Sequence, residues 1–175
     1  MAKIARVCLI GPHSTGKSTL ARELAAHYRT EWVAEYARGY ALCVGRELTA
    51  DDVPRIAEGQ MANEESLGGS RMLILDTDLL STVIYARHYY GACPEWIEYK
   101  ARERRADLYL LMDIDTPFVA DPARDSEDAR AELLARFRWV LGEFEAPFAE
   151  ISGAWKERKR KAMAAIEAQG VGRVL

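Results

Sequence analysis

The sequence predicts an α/β fold, a three-layer sandwich in which helices cover both faces of a mostly parallel, five-stranded sheet. Three observations support this prediction: short apolar runs alternate with helical patterns, the first run ends at a glycine-rich loop, and polar residues follow the ends of the other runs. Strands that alternate with helices form parallel sheets, because each parallel connection needs a crossover. Ligands of such sheets bind at the carboxyl ends of the strands.

The composition fits one domain that includes the whole chain, residues 1–175. Lys and Arg total 24 and Asp and Glu total 27, which gives a formal charge of −3 and disfavours a nucleic-acid-binding surface. No segment of the sequence approaches the run of about 18 apolar residues that a membrane span needs, and no secretory signal is evident. The three cysteines lack the CxxC spacing of a zinc site. We therefore expect a cytoplasmic protein with reduced thiols.

Five apolar runs predict the strands. Each run is short and ends at a turn residue or a polar residue, as the buried strands of a parallel sheet do. In chain order the predicted strands are Ile4–Ile10, Glu31–Ala34, Met72–Leu75, Leu108–Met112 and Phe148–Ile151, and Val171–Leu175 is a candidate edge strand.

The segments between the strands predict helices. Apolar residues in Lys17–Tyr28 recur at spacings of one and three, which is one face of a helix. Thr49 is the expected N-cap of a helix that runs to about Leu67. The other predicted helices are Glu35 to about Val44, Leu79–Tyr90, one that starts at Cys93-Pro94-Glu95, Asp128–Phe144 and Trp155–Ala168. The basic residues of the last helix, Lys156 and 158–161, are expected to form a solvated face.

The strongest functional signal lies between the first strand and the first helix. Residues 11–18 fit GxxxxGK[ST], the phosphate-binding loop of P-loop NTPases, in the required strand–loop–helix context. Gly11 and Gly16 let the backbone N–H groups point inward, Lys17 should reach the β- and γ-phosphates, and Ser18 should bind Mg²⁺. The remaining candidate nucleotide contacts are Pro12, His13, Ser14, Thr15 and Thr19. We expect ATP and Mg²⁺ as cofactors.

Acidic residues follow the second and third strands. Asp76 ends the run from Met72 to Leu75, as a Walker B aspartate does, and is the expected partner of Mg²⁺, directly or through water. Asp78 is either part of this Walker B arrangement or the N-cap of the next helix. Glu35 could orient a substrate hydroxyl or accept its proton, or could only interact with the dipole of its helix.

Two arginines are further candidates. Arg38 follows Glu35 by three residues and could bind substrate or lie solvated on the surface. Arg124 belongs to a polar loop after the fourth strand, about residues 116–130, that could close over the phosphates as a lid. An ordinary solvated loop is the alternative. Five aromatic residues of the middle region are expected in the core, although they could also line a pocket for a ring: Tyr85, Tyr89, Tyr90, Trp96 and Tyr99.

An ordered series of short motifs resembles a known family. The motifs are Gly11–Ser18, Trp32-Val33-Ala34-Glu35-Tyr36-Ala37-Arg38, Asp76-Thr77-Asp78, Cys93-Pro94-Glu95-Trp96-Ile97, Asp107-Leu108-Tyr109-Leu110-Leu111, Val119-Ala120-Asp121 and Ile151-Ser152-Gly153. Together they resemble the ribosylnicotinamide kinase domain of the bacterial bifunctional NMN adenylyltransferase/ribosylnicotinamide kinase and its stand-alone AAA-type ATPase relatives.

The resemblance implies a nucleoside/nucleotide-kinase-like fold and a role in NAD salvage. ATP would phosphorylate the 5′-hydroxyl of nicotinamide riboside to give nicotinamide mononucleotide. Glu35, Tyr36, Arg38, Asp76 and Asp78 would then lie on the substrate and metal side. Arg124 would belong to the lid, and Ser152 and Gly153 would lie near the adenine. Lys17, Glu35, Asp76 and Arg124 are the implied catalytic set.

Two departures from the family leave other functions open. Only a few residues precede the first strand, so we expect no adenylyltransferase domain. Ala34 stands where nicotinamide riboside kinases of the family carry an aromatic residue, with Trp32 two residues earlier. The alternatives are a kinase for another nucleoside-like or ring-bearing alcohol and an ATPase switch that acts on a protein. We expect a small-molecule substrate, no nucleic acid and no membrane; the sequence leaves a homo-oligomer open, and either Glu35 or Asp76 could be the base.

Overall fold

The five strands form one parallel sheet. The computed structural model of the chain describes residues 4–67, 71–116 and 127–170. The strands are β1 (Ala5–Ile10), β2 (Glu31–Val33), β3 (Met72–Asp76), β4 (Leu108–Met112) and β5 (Phe148–Ile151). Their order is β2-β3-β1-β4-β5, and all four neighbouring pairs are parallel. The five predicted strands are confirmed, whereas the candidate strand at 171–175 lies outside the described residues.

Seven α-helices occur in the described ranges, at the predicted places. They are α1 (Lys17–Tyr28), α2 (Tyr36–Val44), α3 (Val53–Glu65), α4 (Leu79–Tyr90), α5 (Glu95–Glu103), α6 (Glu127–Glu143) and α7 (Trp155–Ala168). The segment after Thr49 differs from the prediction of one continuous helix, because a 3₁₀ turn over Ala50–Asp52 precedes α3. Pro54 explains this break, since a proline fits only the first turn of an α-helix.

Two apolar layers cover the two faces of the sheet. Val7 and Leu9 of β1 pack with buried residues of α1 and α7, whereas Cys8 and Ile10 face the layer built from α3 to α6. Successive residues of a strand point to opposite faces, so both faces of β1 are buried. This arrangement confirms the three-layer sandwich.

The strand register aligns the functional residues at one edge of the sheet. Leu9 pairs with Asp76 on one side and with Leu110 on the other. The residues after β1, β3 and β4 therefore leave the sheet side by side. Within the described residues, no helix is long and apolar enough to cross a membrane.

One expectation about α7 is wrong. Arg160 is largely exposed, but Arg158 is completely buried. Arg158 lies four residues before Ala162 and eight before Ile166, the other buried residues of α7. Residues four apart share one face of a helix, so Arg158 belongs to the packed face and not to the solvated one.

Candidate active site

The phosphate-binding loop folds tightly against β4. Gly11 has a φ angle of 137°, and a Cβ added there would lie 2.8 Å from the carbonyl oxygen of Met112. Gly16, with a φ angle of 88°, is the N-cap residue of α1. A Cβ at Gly16 would lie 2.8 Å from the indole ring of Trp155. Both conformations favour glycine, and neither position has room for a side chain.

Lys17 is buried inside this loop. Its Nζ donates hydrogen bonds to the carbonyl oxygens of Gly11 at 2.8 Å and Pro12 at 2.7 Å. The Thr15 hydroxyl donates to the Pro12 carbonyl at 2.9 Å, and the Thr116 hydroxyl donates to the Ser14 carbonyl at 3.2 Å. The ammonium group is thus held within the loop that would bind phosphates, which reduces the conformational entropy that binding would cost.

Asp76 and Ser18 are the predicted partners of a magnesium ion. Asp76 ends β3 and is 2% exposed, and its Oδ1 is buried with no hydrogen-bond partner among the described residues. A buried carboxylate oxygen without a partner is unfavourable, so a cation or water fits there. Magnesium uses few protein ligands together with phosphates and waters. Within the described ranges, no cluster of three His, Cys, Asp or Glu residues could hold a metal.

Asp78 is the N-cap of α4. Its Oδ1 accepts hydrogen bonds from the backbone N–H groups of Leu80 at 3.0 Å and Ser81 at 3.4 Å. Its Oδ2 accepts one from the Tyr109 hydroxyl at 2.7 Å. Burial raises the pKa of Asp78 to about 6, although the Tyr109 hydrogen bond opposes the shift. The N-cap alternative is confirmed, and a substrate contact of Asp78 stays a prediction.

Thr77 separates these two aspartates in a strained conformation. Its φ angle is 69°, and its N–H donates to the Leu9 carbonyl at 3.1 Å. A β-branched residue with a positive φ is a genuine outlier, and such strain occurs most often at functional sites. The turn places Asp76 in the sheet and Asp78 at the start of α4, and no sequence signal indicates it.

Glu35 immediately precedes α2. Its carboxylate is 13% exposed and lies 3.6 Å from the guanidinium of Arg38, which is 53% exposed. Within the described residues, no side chain of α2 is fully buried. The ring of Tyr36 lies directly against Gly59, where an added Cβ would overlap it at 2.1 Å. Glu35, Tyr36 and Arg38 therefore lie together at the end of β2, next to the end of β3.

Gln60 connects the two acidic strand ends and was missed by the sequence analysis. Its Oε1 accepts from the N–H of Tyr36 at 3.1 Å, and its Nε2 donates to the carbonyl of Thr77 at 3.3 Å. The same Nε2 donates to Glu64 at 3.3 Å. Gln60 is 2% exposed and lies four residues after Ile56. The sequence signal that could have indicated Gln60 is its position, as a polar residue, on the apolar face of α3.

An aromatic stack borders the other side of the loop. His13 stacks on Tyr85 with 4.9 Å between ring centroids, and Tyr85 stacks on Tyr89 at 6.0 Å. The Tyr85 hydroxyl donates to the Gly11 carbonyl at 3.3 Å. The expected core location is wrong for four aromatic residues, which are exposed by 36% or more: Tyr89, Tyr90, Trp96 and Tyr99.

The turn after β5 lies beside the phosphate loop. Lys161 donates to the carbonyl and the hydroxyl of Ser152, both at 3.0 Å. Gly153 and Trp155 follow, and the Trp155 ring contacts Gly16. Thr19 is exposed on the first turn of α1. Arg124 and most of the predicted lid lie outside the described residues, and the final part of that lid, 127–130, is the start of α6.

A family model described as the AAA domain matches residues 6–158 of the chain. The chain belongs to this family. The trifunctional NAD biosynthesis/regulator protein NadR of Escherichia coli (strain K12) is 32% identical over 124 residues, and so is that of Salmonella typhimurium. Each match covers 67% of this AAA-domain chain and 30% of the relative.

Solved structures agree with the fold. A crystal structure of NadR in complex with NR has a TM-score of 0.75 and 25% identity, and the match covers 94% of this chain. This AAA-domain chain spans half the length of that NadR chain. The deoxyadenosine kinase of M. mycoides has a TM-score of 0.66 at 12% identity and covers 93% of this chain. The likeness to that kinase confirms the nucleoside-kinase-like fold.

Proposed function

We propose that the protein is an ATP- and Mg²⁺-dependent kinase that phosphorylates the 5′-hydroxyl of nicotinamide riboside to nicotinamide mononucleotide, a step of NAD salvage. The observation that carries this proposal is the phosphate loop with Lys17 held inside it, next to the acidic ends of β2 and β3. The identity to NadR proteins and the likeness to a NadR structure that contains NR, nicotinamide riboside, support the choice of acceptor.

The donor side of the reaction uses the phosphate loop. The loop N–H groups and Lys17 would bind the β- and γ-phosphates of ATP and neutralise charge that develops during transfer. Ser18 and Asp76 would hold Mg²⁺, which would offset the negative charge of the phosphates. Arg124, in the predicted lid, is the proposed second cation for the transferring group. Ser152 and Gly153 would border the adenine.

The acceptor side uses the end of β2. The side chain of Glu35 is only 13% exposed, and Arg38 lies beside it. A carboxylate in this position would orient the acceptor hydroxyl in line with the γ-phosphate and take its proton. Asp76 is the alternative base. Asp78 has both oxygens engaged with the protein, so its support of the site would be through the start of α4.

A panel of alcohols tests the proposal. The chain is incubated with Mg-ATP and either nicotinamide riboside, other nucleosides or no acceptor, and the products are identified by mass spectrometry. Lys17→Ala serves as the blank. The proposal predicts that the unchanged protein forms nicotinamide mononucleotide from nicotinamide riboside and that Lys17→Ala forms none. Phosphorylation of a different nucleoside would show that this nucleoside is the acceptor. Ala34, which stands in place of an aromatic residue, leaves this alternative open.

Two substitutions assign the base. If Glu35 accepts the proton, Glu35→Gln lowers kcat about 10²-fold or more, in the range that general base catalysis contributes. Unchanged turnover of Glu35→Gln would remove Glu35 from this role and leave Asp76. Steady hydrolysis of ATP without any acceptor would favour the ATPase switch instead.

A further inference from the structure

The buried Arg158 contacts three separate loops around the phosphate-binding site. Its Nε donates to the carbonyl of Gly153 at 2.9 Å, one Nη donates to the carbonyl of Thr15 at 3.3 Å, and the other donates to the carbonyl of Asp113 at 3.2 Å. The second Nη also forms an ion pair with Asp115. These four residues belong to the phosphate loop, the segment after β4 and the turn after β5.

The contact with Thr15 constrains the loop itself. A peptide unit is planar and trans, so its carbonyl and its N–H point in opposite directions. Because the Thr15 carbonyl points at Arg158, the N–H of Gly16 in the same peptide points away from it. Gly16 is the N-cap residue of α1, so this N–H lies at a helix N-terminus, where the loop would hold a phosphate. The hydrogen bond from Arg158 to the Thr15 carbonyl therefore also fixes the direction of the Gly16 N–H.

We propose that Arg158 is a positioning residue that holds the phosphate loop and the turn after β5 in the arrangement that binds ATP. It would not touch the nucleotide. It would set the direction of the Gly16 N–H and the distance between the loop and Gly153, on the predicted adenine side. This inference rests on the proposed use of ATP as the donor, and it assigns a role to a residue outside the phosphate-loop motif.

An arginine suits this role better than a lysine. The planar guanidinium has five N–H donors in a fixed fork, which lets one side chain reach three carbonyls in different directions. An ammonium group has three donors around one nitrogen and cannot span the same acceptors. Burial lowers the pKa of Arg158, but guanidinium groups stay charged in proteins. Trp155, one turn earlier, adds a packing contact with Gly16.

The test measures the binding of a nonhydrolysable Mg-ATP analogue by calorimetry, without any acceptor. The variants are Arg158→Met, which removes every donor, and Arg158→Lys, which keeps the charge. Arg160→Met is the matched control, because Arg160 lies on the exposed face of the same helix. We expect analogue binding at least tenfold weaker for Arg158→Met, an intermediate loss for Arg158→Lys and no change for Arg160→Met. Wild-type affinity in both Arg158 variants would overturn the proposal.

Hydrogen exchange gives a second readout that does not depend on the ligand. In Arg158→Lys, the amides of residues 11 and 13–18 should exchange faster while those of β1 and β3 keep their protection. Equal protection of the loop in both proteins would overturn the positioning role. If Arg158→Met does not fold, Asp115→Asn removes the charge of the ion pair and disturbs the hydrogen bond that the Gly153 N–H donates to Asp115, and it should give the same pattern to a smaller degree. If the wild type bound no ATP analogue, the proposed function would fail, whereas the exchange result would still decide the role of Arg158.

Discussion

The hydrogen bond between Tyr109 and Asp78 should make the stability of the protein depend on pH in a specific way. The Tyr109 hydroxyl donates to Asp78 at 2.7 Å and accepts from the N–H of Ala106 at 3.1 Å. Both side chains are buried. Tyr109→Phe leaves a buried carboxylate oxygen and a buried N–H without this partner. At 1–3 kcal/mol for each of these two buried groups, the free energy of unfolding should fall by roughly 2–6 kcal/mol at pH 8.

The loss should be smaller at pH 5. The pKa of Asp78 is raised from its ordinary value of 3.8 to about 6, so the folded protein holds this proton at pH 5. A group with a raised carboxyl pKa stabilises the fold at low pH, and this contribution is lost as pH rises from about 4 through 6. A hydrogen bond to a neutral carboxyl group contributes roughly 1 kcal/mol less than one to a carboxylate.

Urea denaturation of both proteins at pH 5 and pH 8 measures the difference. We expect the deficit of Tyr109→Phe to be about 1–2 kcal/mol larger at pH 8 than at pH 5. Tyr99→Phe is the control, because Tyr99 is 65% exposed and should show no deficit at either pH. An equal deficit at both values of pH would refute the reasoning, because it would mean that Asp78 does not change its protonation between them.

Three further predictions concern the site. Gly11→Ala should abolish binding of an ATP analogue and lower the melting temperature, because the new Cβ would meet the Met112 carbonyl at 2.8 Å; calorimetry and a thermal melt measure both, and wild-type affinity would contradict the loop geometry. Asp76→Asn should stabilise the fold by roughly 1–3 kcal/mol, since it removes a buried charge with an unpaired oxygen, and should reduce kcat. A less stable Asp76→Asn protein in urea would show that the carboxylate is satisfied in the fold. Gln60→Glu replaces the donor to the Thr77 carbonyl with a carboxylate oxygen, so the acceptor KM should rise at least several-fold while ATP affinity stays constant; a change in ATP affinity alone would contradict its place on the acceptor side.

The fold was predictable because its signals are local. The glycine pattern of residues 11–18 specifies a loop between a strand and a helix, and the alternation of short apolar runs with helical periods specifies a parallel sheet. Proline 54 is also a local signal, and with it the break after Thr49 could have been placed. The exact order of the strands and the register of Leu9 with Asp76 depend on packing between distant segments.

The site was predictable only in part, because its supporting residues act at long range. Lys17 and Asp76 stand in recognisable motifs, and the structure brings them to one edge of the sheet. Arg158 and Gln60 look like surface residues in the sequence, since their type is polar and several of their partners lie 17 to 143 residues away. Only their positions on the apolar faces of α7 and α3 indicate that they are buried.

The identity of the phosphorylated product tests the central claim most directly. Phosphorus NMR of a reaction with Mg-ATP and nicotinamide riboside would follow ATP, ADP and every phosphorylated product together. The account predicts one 5′-phosphomonoester of nicotinamide riboside for each ADP formed, and none with Lys17→Ala. Inorganic phosphate in equal amount to ADP, with the riboside unchanged, would contradict the kinase activity.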